Sequence, residues 1–434
     1  MFNLYDIYLA ICIYDNSTPK VLTPLSFCFK TTETGAQVSR ARTISSMSEK
    51  ANGWRNGILP AVLAALPAGS VYAYPYFSGA FQAICGASPS ACSWIFSASI
   101  FFLGMGAAFF GPVVEKNPRK SLLLAAILYL AGMSVSAAGL LSGSYWTVFA
   151  GYGVLNGVGQ GIAYLSPVKA AMSWFPKRKG LAGASSIVAF GLGSAAAIAV
   201  SRAVSGFGCA WTFAVFAVLF PAMIALAAAL LRKNPDSDAA LDSPRESAFA
   251  TFSRPGFAYA WSFMFLNILS GLVVIGNSAR ILSDVGTTGA ALAIVLSAAG
   301  FFNGGFRLVF AWISDRLGIR ADVWTIIACV SVAVSVLMPI RAGIMTVLSV
   351  LAVNACYGGG FSTLAPILSD AYGQMGLSRI HGLALSAWAA AALAAGFLST
   401  LPLGAVFCVI PCLYLIEAIA TSRFKSGTGS AVRV

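Results

Sequence analysis

Trp312-Ile313-Ser314-Asp315-Arg316-Leu317-Gly318-Ile319-Arg320 ends one long apolar stretch of this chain, and Gly111-Pro112-Val113-Val114-Glu115-Lys116-Asn117-Pro118-Arg119-Lys120 ends an earlier one. In each, an acidic residue leads a group of bases. A second pair of signals recurs in the same order. Asn156-Gly157-Val158-Gly159, then Pro167, then Gly180-Leu181-Ala182 corresponds to Tyr357-Gly358-Gly359-Gly360, then Pro366, then Gly382-Leu383-Ala384. The chain therefore reads as two parallel copies of one unit.

Working outward, the charge-free intervals give the number of helices, because each hydrocarbon crossing takes roughly 20 apolar residues. Arg55 to Glu115 and Lys120 to Lys169 each have room for two helices. Leu181 to Ser201, Ala203 to Leu231, Pro255 to Ala279, Val285 to Phe306, Val323 to Ile340 and Ala342 to Ser369 hold one each. Gly382 to Ile416 holds two shorter ones, with a turn at Thr400 to Gly404 where Pro402 and Gly404 sit. The expectation is an all-α integral membrane protein of twelve transmembrane helices in two pseudo-symmetric six-helix halves.

Composition agrees: 58% of residues are hydrophobic and only 9% charged, too little charge to clothe a water-soluble domain. The 27 Lys and Arg against 14 Asp and Glu form short clusters between apolar stretches, not the basic patch that nucleic-acid binding needs. Clusters at 115–120, 177–179, 232–254, 316–320, Arg379 and the tail alternate with connections carrying only Arg202, Arg280 and Arg341. The basic set marks the cytoplasmic side, where both termini then lie. The expected organisation is an N-terminal extension over 1–50, one half over 51–231, a linker over 232–254 containing Pro235 and Pro244, the second half over 255–421, and a tail over 422–434. Residues 1–46 do not resemble the rest and read equally as a targeting extension, a disordered arm, or the product of a start upstream of Met47.

Parallel repeats about an axis normal to the membrane describe the major facilitator fold, with its substrate site at mid-depth between the halves. The resemblance narrows at Gly161-Ile162-Ala163-Tyr164, Trp174-Phe175-Pro176 through Gly180-Leu181-Ala182, and Phe190-Gly191-Leu192-Gly193. With Gly69-Ser70-Val71-Tyr72 and Phe302-Asn303-Gly304-Gly305-Phe306-Arg307, these resemble the oxalate/formate antiporter family and the related monocarboxylate transporters, over roughly residues 54–421. The resemblance implies that Arg307 helps to bind a substrate carboxylate. Oxalate-specific members pair that arginine with a lysine in the eleventh helix, whereas this chain has no cation between His381 and Glu417 and carries Trp388 near that place. A dianion is thereby disfavoured. Asn303 stands where monocarboxylate transporters often carry an aspartate, which puts their proton relay in doubt here.

Read from the residues alone, Arg307 lies eight positions before Asp315, about 12 Å deeper along a helix. A cation at that depth usually faces a bundle interior or a cavity and serves function, and a guanidinium offers a carboxylate two parallel donors. The bland alternative is an arginine that snorkels toward the nearer surface. Lys169, eight residues before Lys177, reads equally as a ligand or as a snorkelling side chain. Tyr72, Tyr74, Tyr76, Tyr164, Tyr357, Phe361 and Trp388 are aromatics near mid-depth. Of these, Tyr72, Tyr164, Tyr357 and Trp388 rank first, because the first, fourth, tenth and eleventh helices would flank a central cavity. Glu115, Arg119, Asp315 and Arg316 read as cytoplasmic gate contacts. Pro60, Pro67 and Pro75 should kink the first helix, and Gly153, Gly157 and Gly161 should open one face of the fourth to a neighbour.

Enzymatic signatures are missing. His381, the one histidine, is placed by its neighbour Arg379 in a loop, and no Walker loop occurs. No metal and no cofactor are expected. Cys85 and Cys92 flank the first external turn and read either as a pair or as free thiols. The function expected is secondary transport of a small monocarboxylate of the pyruvate, lactate or formate class, partnered by the lipid bilayer and by a proton or an exchanged anion. An amino-acid or other small-solute transporter, and a non-transporting sensor, are the competing readings. Plasma and organelle membranes fit equally.

Overall fold

A computed structural model describes residues 52–175, 179–232, 255–317, 320–337, 343–372 and 377–427; the expected extension, most of the linker and the end of the tail lie outside these. The described residues are helical throughout, with no strand among them. In chain order the long helices are α1 (Trp54–Cys85), α2 (Pro89–Lys116), α3 (Pro118–Ser142), α4 (145–174), α5 (Lys179–Ala203) and α6 (Cys209–Leu230). There follow α7 (Pro255–Gly276), a short helix Ser278–Asp284, α8 (Gly289–Leu317), α9 (Arg320–Leu337) and α10 (Gly343–Tyr372). The series ends with α11 (Leu377–Ala384 continued by Ser386–Leu398) and α12 (Leu403–Gly427).

Ten of these are long and apolar enough to cross a membrane. The other two, α4 and α9, fill the fourth and ninth places of the expected series. In α9 the apolar part is the short segment Val323–Leu337, and α4 opens on a π-helical stretch, Phe149–Leu155. Burial runs opposite to that of a soluble protein. The most apolar of the ten, α6, is only 39% buried, whereas α1 is 72% buried. Phe109, Leu141, Trp146 and Val218 are each more than 70% exposed. Such a surface suits hydrocarbon and would aggregate in water; the protein is a multi-pass integral membrane protein.

Where helices meet closely, glycine permits it. A Cβ at Gly157 would sit 2.7 Å from the Ser99 carbonyl, and one at Gly161 would overlap the Leu103 carbonyl, so the glycine face of α4 receives α2. The same device joins α1 to α5 at Gly69 and Gly193, and α5 to α8 at Gly191 and Gly304. In lipid, where no hydrophobic force draws helices together, close backbone approach supplies the dispersion contacts that do.

Of the three prolines of α1, Pro60 and Pro75 stand in the first turns of their segments and Pro67 inside one. Pro67 lacks an N–H, and the helix tightens to a 3₁₀ turn at Ser70–Ala73 before resuming at Tyr74. Tyr129 donates to the Pro67 carbonyl at 2.8 Å and Tyr152 to the Val71 carbonyl at 3.5 Å. A broken helix is tolerated at membrane depth when neighbours supply partners in this way. Cys85 and Cys92 are both free thiols.

Candidate functional site

Arg307 projects from α8 into the interior with none of its surface exposed. Its Nε and Nη2 both donate to Asn303 Oδ1, at 3.0 and 2.9 Å, one helical turn earlier on the same helix. Its Cζ lies 5.1 Å from the centre of the Phe361 ring and 5.6 Å from that of Phe190. Nη1 has no hydrogen-bond partner among the described residues. The charge is thus solvated by an amide and two π faces but not neutralised. Such cation–π contacts contribute about 0.5–2 kcal/mol each, against roughly 2.5–3.5 kcal/mol for inserting the cation.

The aromatic candidates converge on this group. Tyr164 of α4 meets Phe190 of α5 at 4.9 Å and Trp388 of α11 at 5.8 Å, both edge-on. Trp388 also packs on Phe190 at 5.6 Å and on Phe361 of α10 at 4.6 Å. The 3₁₀ turn of α1 presents Tyr72 to Phe190 and Tyr357, each at 5.6 Å, and the Tyr72 and Tyr357 hydroxyls are hydrogen-bonded at 2.6 Å. The result is an aromatic box around one guanidinium. Its polar atoms without partners among the described residues include Arg307 Nη1, Asn303 Nδ2, Trp388 Nε1 and the Tyr164 hydroxyl. Three of these can only donate. A donor-rich, positively charged, apolar-walled enclosure is chemically complementary to a small anion with an apolar body. Glu417 of α12, a carboxyl also buried in the bundle, receives the Asn267 amide of α7 at 3.4 Å.

Sequence reasoning brought together Arg307, Asn303, Tyr72, Tyr164, Tyr357 and Trp388. It did not place Phe190 in the site, although the close approach allowed by Gly191 and Gly193 was a usable signal. The backbone of Lys169 lies on α4, five residues beyond Tyr164; its side chain and those of Glu115 and Asp315 fall outside the described residues. The Arg119 side chain is largely exposed and donates from Nε to the Ala228 carbonyl of α6 at 3.0 Å, while exposed Arg316 lies over the Trp312 ring at 5.8 Å. One expectation is corrected. His381 is not in a loop but within the helical segment Leu377–Ala384, 3% exposed, with its ring 6.4 Å from that of Tyr164. The helix extends N-terminally past Arg379, because Gly382 lets it lie against the Ala107 carbonyl of α2.

The family model described as Major Facilitator Superfamily matches residues 61–400, which takes in every residue packed around Arg307. The chain belongs to the Major Facilitator Superfamily. Among superfamily relatives it is 28% identical to the uncharacterized MFS-type transporter YhjX of Escherichia coli (strain K12), over 72% of this chain and 79% of that one. It is 25% identical to the oxalate:formate antiporter of Oxalobacter formigenes, over 80% and 83% of the two chains. To the apicoplast pyruvate carrier 1 of Toxoplasma gondii it is 24% identical, over 71% and 69%. The inward-open xylose transporter XylE from E. coli shares the superfamily fold, with a TM-score of 0.67 over 85% of this chain and 95% of that one at 16% identity.

Proposed function

We propose that this superfamily member is a secondary transporter, not an enzyme, that moves a small monocarboxylate of the pyruvate, lactate or formate class by alternating access. The observation that carries the reading is Arg307, fully buried, held by a neutral amide and two rings, and left with Nη1 unpartnered among the described residues. An arginine fork presents two donors to a carboxylate and keeps its charge at any physiological pH. The Phe190, Phe361, Trp388 and Tyr164 rings suit a substrate whose remainder is small and apolar, while a single cation favours a monoanion over a dianion. Relatives named for formate and pyruvate support this class. The two six-helix halves rock about the site, and the acidic and basic residues Glu115, Arg119, Asp315 and Arg316 hold the cytoplasmic gate.

The test is uptake of labelled solutes into proteoliposomes, screened across monocarboxylates, dicarboxylates and amino acids. Saturable uptake of a monocarboxylate, unaffected by excess amino acid, is the expected result. Preferential uptake of an amino acid or a dicarboxylate would overturn the reading.

A further inference from the structure

His381 is the one imidazole in the chain, and it is buried within the membrane-spanning segment Arg379–Leu398. It does not belong to the box around Arg307 but touches its wall. Its ring packs at 65° against Tyr164, which in turn contacts Phe190 and Trp388. Neither Nε2 of His381 nor the Tyr164 hydroxyl has a hydrogen-bond partner among the described residues. The segment is clamped in place, because a Cβ at Gly382 would lie 3.0 Å from the Ala107 carbonyl of α2 and 3.7 Å from Leu165 of α4. Packing therefore fixes a titratable ring beside the candidate anion site, with a nitrogen left over.

Burial of an imidazole in this way is unfavourable unless it serves something, and intramembrane ionisable groups mark proton relays and substrate paths. Histidine is also the side chain whose ordinary titration falls between pH 5 and 8. The charged and titratable groups on the helices packed against it are few. Its own helix carries Arg379; α2 carries Cys92, and Glu115 and Lys116 about two turns beyond the Ala107 that Gly382 meets; α4 brings Tyr164, with Lys169 about one turn beyond Leu165 and Tyr145 and Tyr152 farther back along it. From α7 comes Tyr259, and from α10 Cys356, Tyr357, Asp370 and Tyr372, while the second segment of α11 has none. The ring that faces it is that of Tyr164, and beyond Tyr164 and Phe190 stands the guanidinium.

A second positive charge behind the Tyr164 and Phe190 rings, which part His381 from Arg307, is opposed while the site holds no anion. A carboxylate on Arg307 cancels that repulsion, so anion and proton favour each other's binding by the same factor. We propose that His381 is the proton-binding site of a proton-coupled carboxylate cycle: Nε2 takes a proton from water on the loading side as the anion docks, and returns it to water on the other side as the anion leaves. This rests on the reading of Arg307 as the carboxylate site, and the experiment separates the two.

Protein purified through a histidine-free tag is reconstituted with a pH dye in the lumen, and pyruvate is the probe. Exchange of labelled against unlabelled pyruvate at equal concentrations tests the carboxylate site, while luminal acidification during net uptake tests proton coupling. Wild-type protein should acidify the lumen, with faster uptake as external pH falls. His381→Gln should keep exchange within about twofold and lose about tenfold or more of the acidification, and Glu417→Gln should keep both. Because the histidine is unique, nitrogen-15 labelling of histidine alone reads its protonation in the wild-type chain, without any variant. Added pyruvate should raise the protonated fraction at fixed pH. Exchange without acidification, coupling that survives His381→Gln, coupling lost instead in Glu417→Gln, or imidazole shifts unmoved by pyruvate would each overturn the proton site and leave the carboxylate reading standing. Absence of exchange would overturn both.

Discussion

Replacing Arg307 by alanine removes a guanidinium whose Nε and Nη2 are occupied by Asn303, leaving Nη1 as the donor best placed for a carboxylate. Loss of one charge-assisted hydrogen bond costs roughly 1.5–3 kcal/mol, which is about 10- to 150-fold in affinity. Arg307→Lys should recover little of this, since one ammonium cannot hold the Asn303 amide and also present a donor where Nη1 stands. Both variants should reach the membrane, Arg307→Lys because it inserts the same charge as the wild type and Arg307→Ala because it inserts none. The buried charge costs roughly 2.5–3.5 kcal/mol to insert, and relief of that cost offsets the cation–π attraction to Phe190 and Phe361 that the substitution removes. The assay is monocarboxylate uptake into liposomes at several substrate concentrations, normalised to the protein incorporated. Wild-type flux from well-folded Arg307→Ala would refute the reasoning and return the arginine to a packing role.

Asn303→Asp places a carboxylate on the guanidinium, where it competes with the substrate; apparent affinity should fall about tenfold or more at neutral pH and recover as acid protonates the new group. Unchanged affinity would mean that Arg307 does not meet the anion. Tyr72→Phe strands the Tyr357 hydroxyl of the 2.6 Å pair and should destabilise the protein by about 1–3 kcal/mol. Since removing both partners is cheaper than removing one, thermal unfolding should find the double variant with Tyr357→Phe nearer to wild type than either single change. Single cysteines placed in the 232–254 linker and in the 422–434 tail should react from the same side of the membrane; reaction from opposite sides would break the twelve-span topology.

The series of helices was legible because charge is so costly in hydrocarbon that its absence maps each span almost directly. α4 and α9 show the edge of that rule, one broken by a π-helical stretch and the other short. A break in α1 near Pro67, seen as the 3₁₀ turn at Ser70–Ala73, and the groove along Gly157 and Gly161 were legible too, since each follows from the chemistry of one residue type. Arg307 could be placed by its depth. What the chain disclosed only in part is which rings close on it: Phe361 reads as one of several mid-depth aromatics, Phe190 is marked only by Gly191 and Gly193 beside it, and both reach the guanidinium through helix packing. His381 was misread because Arg379 beside it suggests a polar loop, whereas helix packing at Gly382 carries that turn into the bundle.

The contact of Gly191 with Gly304 joins α5 to α8 backbone against backbone, with Asn303 adjacent in the chain and Arg307 less than a turn beyond. Interlocked side chains act as gear teeth, and turning past them requires many rotamers to jump together. Here the backbones of Gly191 and Gly304 meet directly, with the Leu192 side chain seated against Gly304. Because this joint and the guanidinium share one stretch of helix, a tilt of α8 on α5 about it would re-aim the charge with little change in its depth.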